Sequence, residues 1–174
     1  MKPFNQTILE VIGHTPIIKL NKVANEVSSD IYVKLEYLNP GGSIKDRMGV
    51  YLCQKAMERG DIKPGGTIVE STSGNTGIGI AMFAAVHGCK CVFVMADKQS
   101  QEKIDNLKAF GAKVLVCPSD VEPDDPRSYY SVAATLGNLP NSIYLDQYAN
   151  LDNGQSHFEL TGPEIFKQTK GDFD

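Results

Sequence analysis

No two of the four cysteines (Cys53, Cys89, Cys91, Cys117) form a C-x-x-C pair, and no spacing typical of a zinc site is present. The three histidines, His14, His87 and His157, are far apart with no H-x-x-x-H spacing. A metal centre therefore has no support, and no metal ligands are assigned. No run of 18 apolar residues occurs, which speaks against a membrane span. The opening "MKPFNQTILEVIGHTP" lacks the charged and apolar regions of a signal peptide. Positive charge is not in excess: 17 Lys and Arg face 21 Asp and Glu, for a net charge of −4. A nucleic-acid partner would need a basic footprint. Internal repeats and low-complexity tracts are missing too. These absences together point to a reduced, cytoplasmic setting, with "CKCVFVM" carrying buried thiols.

What is present is ordinary for a soluble globular chain: 174 residues, 41% hydrophobic and 22% charged. From residue 43 onward, strand and helix alternate. "GGTIVE" (65–70) is a short β-branched run, and "NTGIGIAMFAAVHG" (75–88) reads as a helix stopped by Gly88. "KCVFVM" (90–95) is a continuous apolar run, the mark of a strand covered on both faces. "SQEKIDNLKAFG" (100–111) places apolar residues at 104, 107 and 110, with Gly111 as its stop. "AKVLVC" (112–117) is the next strand. "DPRSYYSVAATLGN" (125–138) predicts a helix with Pro126 at its first position. "SIYLDQY" (142–148) runs from strand into loop, and "PEIFKQT" (163–169) belongs to a last helix. The order predicts an α/β fold, an open and mostly parallel sheet with right-handed crossovers and helices on both faces.

Sites in such sheets lie where strands lead into helices, and two loops fit that rule. In "NPGGSIKDR" (39–47), Ser43 and Asp46 have the form of a capping box. Lys45 then falls in the first turn, at the positive end of the helix dipole, where a cation is least welcome. Held out of water there, its amine becomes a better nucleophile; a solvated lysine at an ordinary helix start is the bland alternative. In "ESTSGNTGIG" (70–79), a strand ends at Glu70 and small polar residues precede an apolar helix. Gly74 permits an unusual φ, free N–H groups at the helix start suit an anion, and Ser71, Thr72, Ser73 and Thr76 add hydroxyls. A dinucleotide site is disfavoured, because the glycines read G-x-x-G-x-G rather than G-x-G-x-x-G.

Together these loops resemble one family: the pyridoxal-phosphate enzymes of fold type II, in the cysteine synthase and cystathionine β-synthase branch. The resemblance runs through "IGHTPIIKL" (12–20), "VKLEYLNPGGSIKDR" (33–47), "IVESTSGNTGIGIA" (68–81), "EKIDNLKAFGAKV" (102–114) and "LDQYAN" (145–150). "DDPRSYYSVA" (124–133) and "LPNSIYLDQY" (139–148) look more like cystathionine β-synthase, and "TGPEI" (161–165) more like cysteine synthase.

The resemblance implies a tryptophan synthase β-subunit-like fold with pyridoxal 5′-phosphate as cofactor. Lys45 would bind it covalently and then act as base, and Asn75 would lie beside the cofactor ring. Thr72, Ser73, Gly74, Asn75, Thr76 and Gln147 would hold the substrate α-carboxylate, with Tyr148 a weaker match. The implied reaction is β-replacement on serine or an acylated serine by a thiol, such as homocysteine, or by sulfide. Residues 40–150 would form the smaller, mobile domain. Residues 1–39 and 151–174 would belong to a larger cofactor domain. The family's glycine-rich phosphate cup is expected beyond residue 174, so the chain reads as an amino-terminal half that binds cofactor weakly by itself. It is expected to expose apolar surface where the larger domain packs. A homodimer and a serine acetyltransferase partner are implied as well, and a non-catalytic binding module is the competing class. The loop "NLDNGQSHF" (150–158) departs from the family pattern, and His157 is given no role.

Overall fold

The alternation of strand and helix is present in a computed structural model of the chain, which describes residues 4–174. Two short strands, β1 (Ile17–Lys19) and β2 (Tyr32–Lys34), pair antiparallel as a ribbon. They are followed by α1 (Lys45–Arg59), β3 (Thr67–Ser71), α2 (Asn75–His87) and β4 (Lys90–Ala96). Next come α3 (Gln101–Ala109), β5 (Lys113–Cys117), α4 (Tyr129–Gly137) and β6 (Ser142–Tyr144). The described chain closes with α5 (Asp152–Ser156) and α6 (Gly162–Thr169), joined through a π-turn at His157–Thr161.

Strands β3 to β6 form one parallel sheet in the order β5-β4-β3-β6. Side chains alternate across it with period two. Ile68, Cys91, Phe93 and Met95 face α1, α2 and α3, in a core with Leu52, Ile80 and Leu107. Val69, Val92 and Val94 face the other way, onto Ala133 of α4. Helices thus cover both faces, as the unbroken apolar run of β4 requires. Phe93, Met95 and Leu107 are completely buried, each contributing about 1.5–3 kcal/mol. Helix α2 is buried through most of its length, with Ile80, Ala81, Met82, Phe83 and Ala84 all inside. It stops where Gly88 takes φ +68°.

The chain lays down β3, β4 and β5 in one direction and then crosses back to place β6 on the far side of β3. The order therefore reverses at the β3–β6 pair. Loops leaving the carboxyl ends of these two strands diverge there and leave a crevice.

Three expectations need correction. Helix α4 starts at Tyr129, with Ser128 as its cap: the Ser128 hydroxyl accepts from Ser131 N–H at 3.1 Å. Pro126 lies in the turn before it, because the Asp125 carboxylate captures the Arg127 N–H at 2.8 Å and its guanidinium as well. Phe110 is not part of the buried row of α3; Ile104 and Leu107 are, while Phe110 follows the last helical residue and is 43% exposed. The capping box at Ser43 is also absent, as described below.

All four cysteines are free thiols, with Cys53, Cys91 and Cys117 buried; burial pushes Cys91 up to about 12. Among the described residues no helix is long and apolar enough to cross a membrane. Apolar side chains stand exposed on the ribbon (Ile18, Tyr32, Val33) and beyond residue 150 (Leu151, Phe158, Phe166).

Candidate active site

The lysine loop is tied down from its own backbone. Asn39 C=O accepts from Gly42 N–H at 2.8 Å, and Gly42 takes φ +81°, which favours glycine. The buried Asn39 amide donates to Glu36 and to Ser43 C=O and accepts from Gly13 N–H. Ser43 Oγ accepts from Lys45 N–H at 3.1 Å, one residue short of a cap that would reach Asp46. The Asp46 carboxylate accepts instead from Gly41 N–H. Lys45 opens α1 as predicted. It is half-buried, and among the described residues its amine has no hydrogen-bond or ion-pair partner.

The second loop leaves β3. Gly74, at φ +133° and ψ −65°, stands at the N-cap of α2, and no side chain caps the helix. Thr72 Oγ1 accepts from Gly74 N–H at 3.0 Å, holding the bend. Thr72, Gly74 and Thr76 are buried, whereas Ser73 and Asn75 are exposed. The uncapped first turn of α2 therefore presents backbone donors and the Asn75 amide outward, an arrangement suited to an anion.

Gln147, in the loop after β6, crosses the crevice. Thr76 Oγ1 donates to Gln147 Oε1 at 2.7 Å. Gln147 Nε2 donates to Ser71 C=O at 2.9 Å and to Glu70 Oε1 at 3.3 Å. Thr72, Gly74, Thr76 and Gln147 are thus gathered at the β3–β6 switch. Tyr148 beside them points outward at 63% exposure, its ring edge-on to Tyr130.

Two glycines bring the lysine helix against this loop. A Cβ on Gly79 would lie 3.0 Å from Lys45 O and from Asp46 Cα. One on Gly49 would lie 3.0 Å from Thr76 O. The amino-terminal turns of α1 and α2 therefore touch through backbone atoms, with no room for a methyl group.

Several groups at the site went unread in the sequence. Glu70 is fully buried at the end of β3; burial pushes its carboxyl up to about 8, against hydrogen bonds from Gln147. Burial likewise raises Asp46 to about 6, against the Gly41 N–H. Arg47, two residues past Lys45, is clamped between Glu36 (2.8 Å) and Glu164 (2.6 Å), with Lys34 also on Glu164 at 2.6 Å. Burial would raise Glu164, but hydrogen bonds from Arg47, Lys34 and His14 N–H prevail and hold it at about 2. His157, in the π-turn, bonds Thr161 Oγ1 at 3.0 Å. Its pKa is lowered by burial first and then by the charges of Lys45 and Arg47. The acid closing "TIVE" was the one available signal; the ion cluster had none, because its partners lie 117 residues apart.

The family model described as "Pyridoxal-phosphate dependent enzyme" matches residues 8–174. A cystathionine beta-synthase from Apis mellifera is 49% identical over 170 residues, covering 96% of this chain and 34% of that protein. A cysteine synthase 1 from Emericella nidulans is 44% identical over 172 residues, covering 98% of this chain and 46% of that protein. The crystal structure of an O-ureido-L-serine synthase superposes with a TM-score of 0.88 at 38% identity, covering 97% of this chain and 52% of the other. The chain spans about a third to a half of the length of these curated relatives.

Proposed function

Because the chain belongs to the pyridoxal-phosphate-dependent enzyme family, we propose that it is the substrate-loop half of an enzyme catalysing β-replacement on serine with a thiol, as in cystathionine β-synthases. The observation that carries this reading is the half-buried Lys45 amine, unpaired among the described residues, on a helix whose first turn packs on the uncapped "TSGNT" turn.

The residues present fit the reactive side of the cofactor. An amine without a partner is available for a covalent bond to an aldehyde, and the exposed Asn75 amide is free for the ring. When bound, pyridoxal phosphate supplies an electron sink for charge developing at the substrate α-carbon. Lys45 Nζ would hold the cofactor covalently and would serve as the general base for the substrate α-proton. Thr72, Ser73, Gly74, Asn75 and Thr76 bind the α-carboxylate through α2 backbone N–H groups and the Thr72 and Ser73 hydroxyls, with the Thr76 hydroxyl held by Gln147 beside them. Carboxylate capture on this loop draws residues 40–150 towards the larger unit, to which 1–39 and 151–174 belong, and excludes water. Two features support that division: the parallel sheet and its helices lie wholly within 45–144, and apolar side chains on both flanking segments stand exposed. The Arg47–Glu164 pair is then a tie between the two units. We place the enzyme in the cytoplasm as a homodimer.

Cysteine synthase activity on O-acetylserine and sulfide is the second reading, favoured by "TGPEI" and by 44% identity to a cysteine synthase 1; it would bring a serine acetyltransferase partner. Full-length protein should be assayed on serine with homocysteine and on O-acetylserine with sulfide. Faster cystathionine formation is expected. Faster cysteine formation transfers the assignment to the second reading, and no turnover on either pair leaves a non-catalytic binding module.

A further inference from the structure

The carboxyl group of Glu70 sits beneath the crevice, completely buried at the end of β3. Its Oε1 accepts from both Gln147 N–H (3.4 Å) and Gln147 Nε2 (3.3 Å), while its Oε2 has no partner among the described residues. Ser71 C=O takes the Gln147 amide at 2.9 Å. Both amide hydrogens are therefore spent on the end of β3, which turns Gln147 Oε1 towards the Thr76 hydroxyl at 2.7 Å. The contacts form one chain running from Glu70 through Gln147 to Thr76, into the first turn of α2.

We propose that Glu70 is a positioning residue for the carboxylate-binding loop: its buried carboxyl fixes the Gln147 amide, and Gln147 fixes Thr76. This rests on the reading of "TSGNT" as the substrate carboxylate site. The proposal has a protonation corollary. No cation pairs with Glu70 among the described residues. The titratable groups around it are Tyr144 and Asp146 from β6 and its loop, Tyr148 beyond them, and Cys53 from α1. Each is neutral or anionic. Burial first, and then Asp146, keeps the carboxyl protonated up to about pH 8. Below that pH, Glu70 holds Gln147 without placing negative charge beside the loop. Above it, ionised Glu70 repels the substrate carboxylate.

The test uses the full-length, cofactor-loaded protein with Glu70→Gln, Glu70→Ala and Thr76→Ala. Wild-type KM for the amino acid is expected to rise above about pH 8, and Glu70→Gln to keep the neutral-pH KM within about threefold while losing that rise. Glu70→Ala should raise KM about tenfold at every pH with a smaller effect on kcat, since Gln147 is released. A second readout needs no turnover: in cofactor-free protein, the ¹⁵N-labelled Gln147 side-chain resonance should titrate with Glu70 and stop titrating in Glu70→Gln. A Gln147 resonance and KM profile indifferent to Glu70→Gln overturn the proposal, even if Glu70→Ala does not fold. If Thr76→Ala raises KM while the Glu70 variants behave as wild type, only this proposal fails. An unchanged KM in Thr76→Ala removes the carboxylate-loop reading, and the proposal with it.

Discussion

Replacing Gly79 by alanine separates packing at the site from stability of the fold. The new Cβ would lie 3.0 Å from Asp46 Cα and Lys45 O and 3.2 Å from Asp46 O. Carbon atoms ordinarily meet at about 3.5–4.0 Å, so the overlap is about half an ångström. All three neighbours are backbone atoms, and no side chain can swing aside. Relief requires α1 and α2 to part at the turns that carry Lys45 and Thr76. Overpacking of this size costs about 1–3 kcal/mol, while alanine recovers about 1 kcal/mol of helix propensity over glycine. Net destabilisation is therefore about 0–2 kcal/mol. Function should suffer more, because a 1 Å displacement of reacting groups costs about a hundredfold, and half that distance about tenfold. Gly88→Ala is the control: its methyl meets nothing within 4 Å, but φ +68° strains it by about 1 kcal/mol, at the far end of α2. Urea unfolding and kcat/KM of the full-length protein should show similar stability for the two variants and a drop of about tenfold in activity for Gly79→Ala alone. Equal activity in both would refute the claim that close approach of these two turns sets the site.

Two further outcomes follow from the shifted carboxyls of Glu70 and Glu164. Glu70 titrates at 4.5 when unfolded and about 8 when folded. The unfolded chain therefore releases this proton first, and stability falls as pH rises between those values. At about 1.4 kcal/mol per pH unit, Glu70 withdraws about 4–5 kcal/mol by pH 8, and Glu70→Gln should flatten that decline in urea midpoints measured at pH 5 and pH 8. Glu164 has the opposite sign. Held at about 2 against 4.5 unfolded, it supports the fold above pH 4.5 and loses that support as pH drops towards 2. Acid unfolding followed by circular dichroism should start at higher pH in Arg47→Ala, which removes the cation shared by Glu36 and Glu164 and leaves Lys34 on Glu164.

Much of this molecule was legible because the signals are local. The unbroken run "CVFVM" can be satisfied only between two helical layers, and it is. Gly74 and Gly88 mark the two ends of α2, and each takes a positive φ. Thr72, Ser73, Gly74, Asn75 and Thr76 lie where strand-to-helix logic put them, where β3 leads into α2, whereas Lys45 opens a helix that follows the antiparallel ribbon and not a strand of the parallel sheet. Errors arose where side chains outbid a standard pattern. Asp125 claims the backbone that would have let Pro126 open α4, and Gly41 claims Asp46 from Ser43. The orientation of Gln147 was out of reach, since it depends on Glu70 and Thr76 from 77 and 71 residues away. So was the Arg47 cluster, which draws on β2, the turn after it, α1 and α6 at once.

Borohydride reduction of the cofactor-loaded full-length protein, followed by peptide mass analysis, tests the role of Lys45 most directly. A pyridoxyl group on the peptide carrying Lys45, lost in Lys45→Ala, is the predicted result. Pyridoxyl mass on another lysine, or on none while β-replacement proceeds, would contradict it.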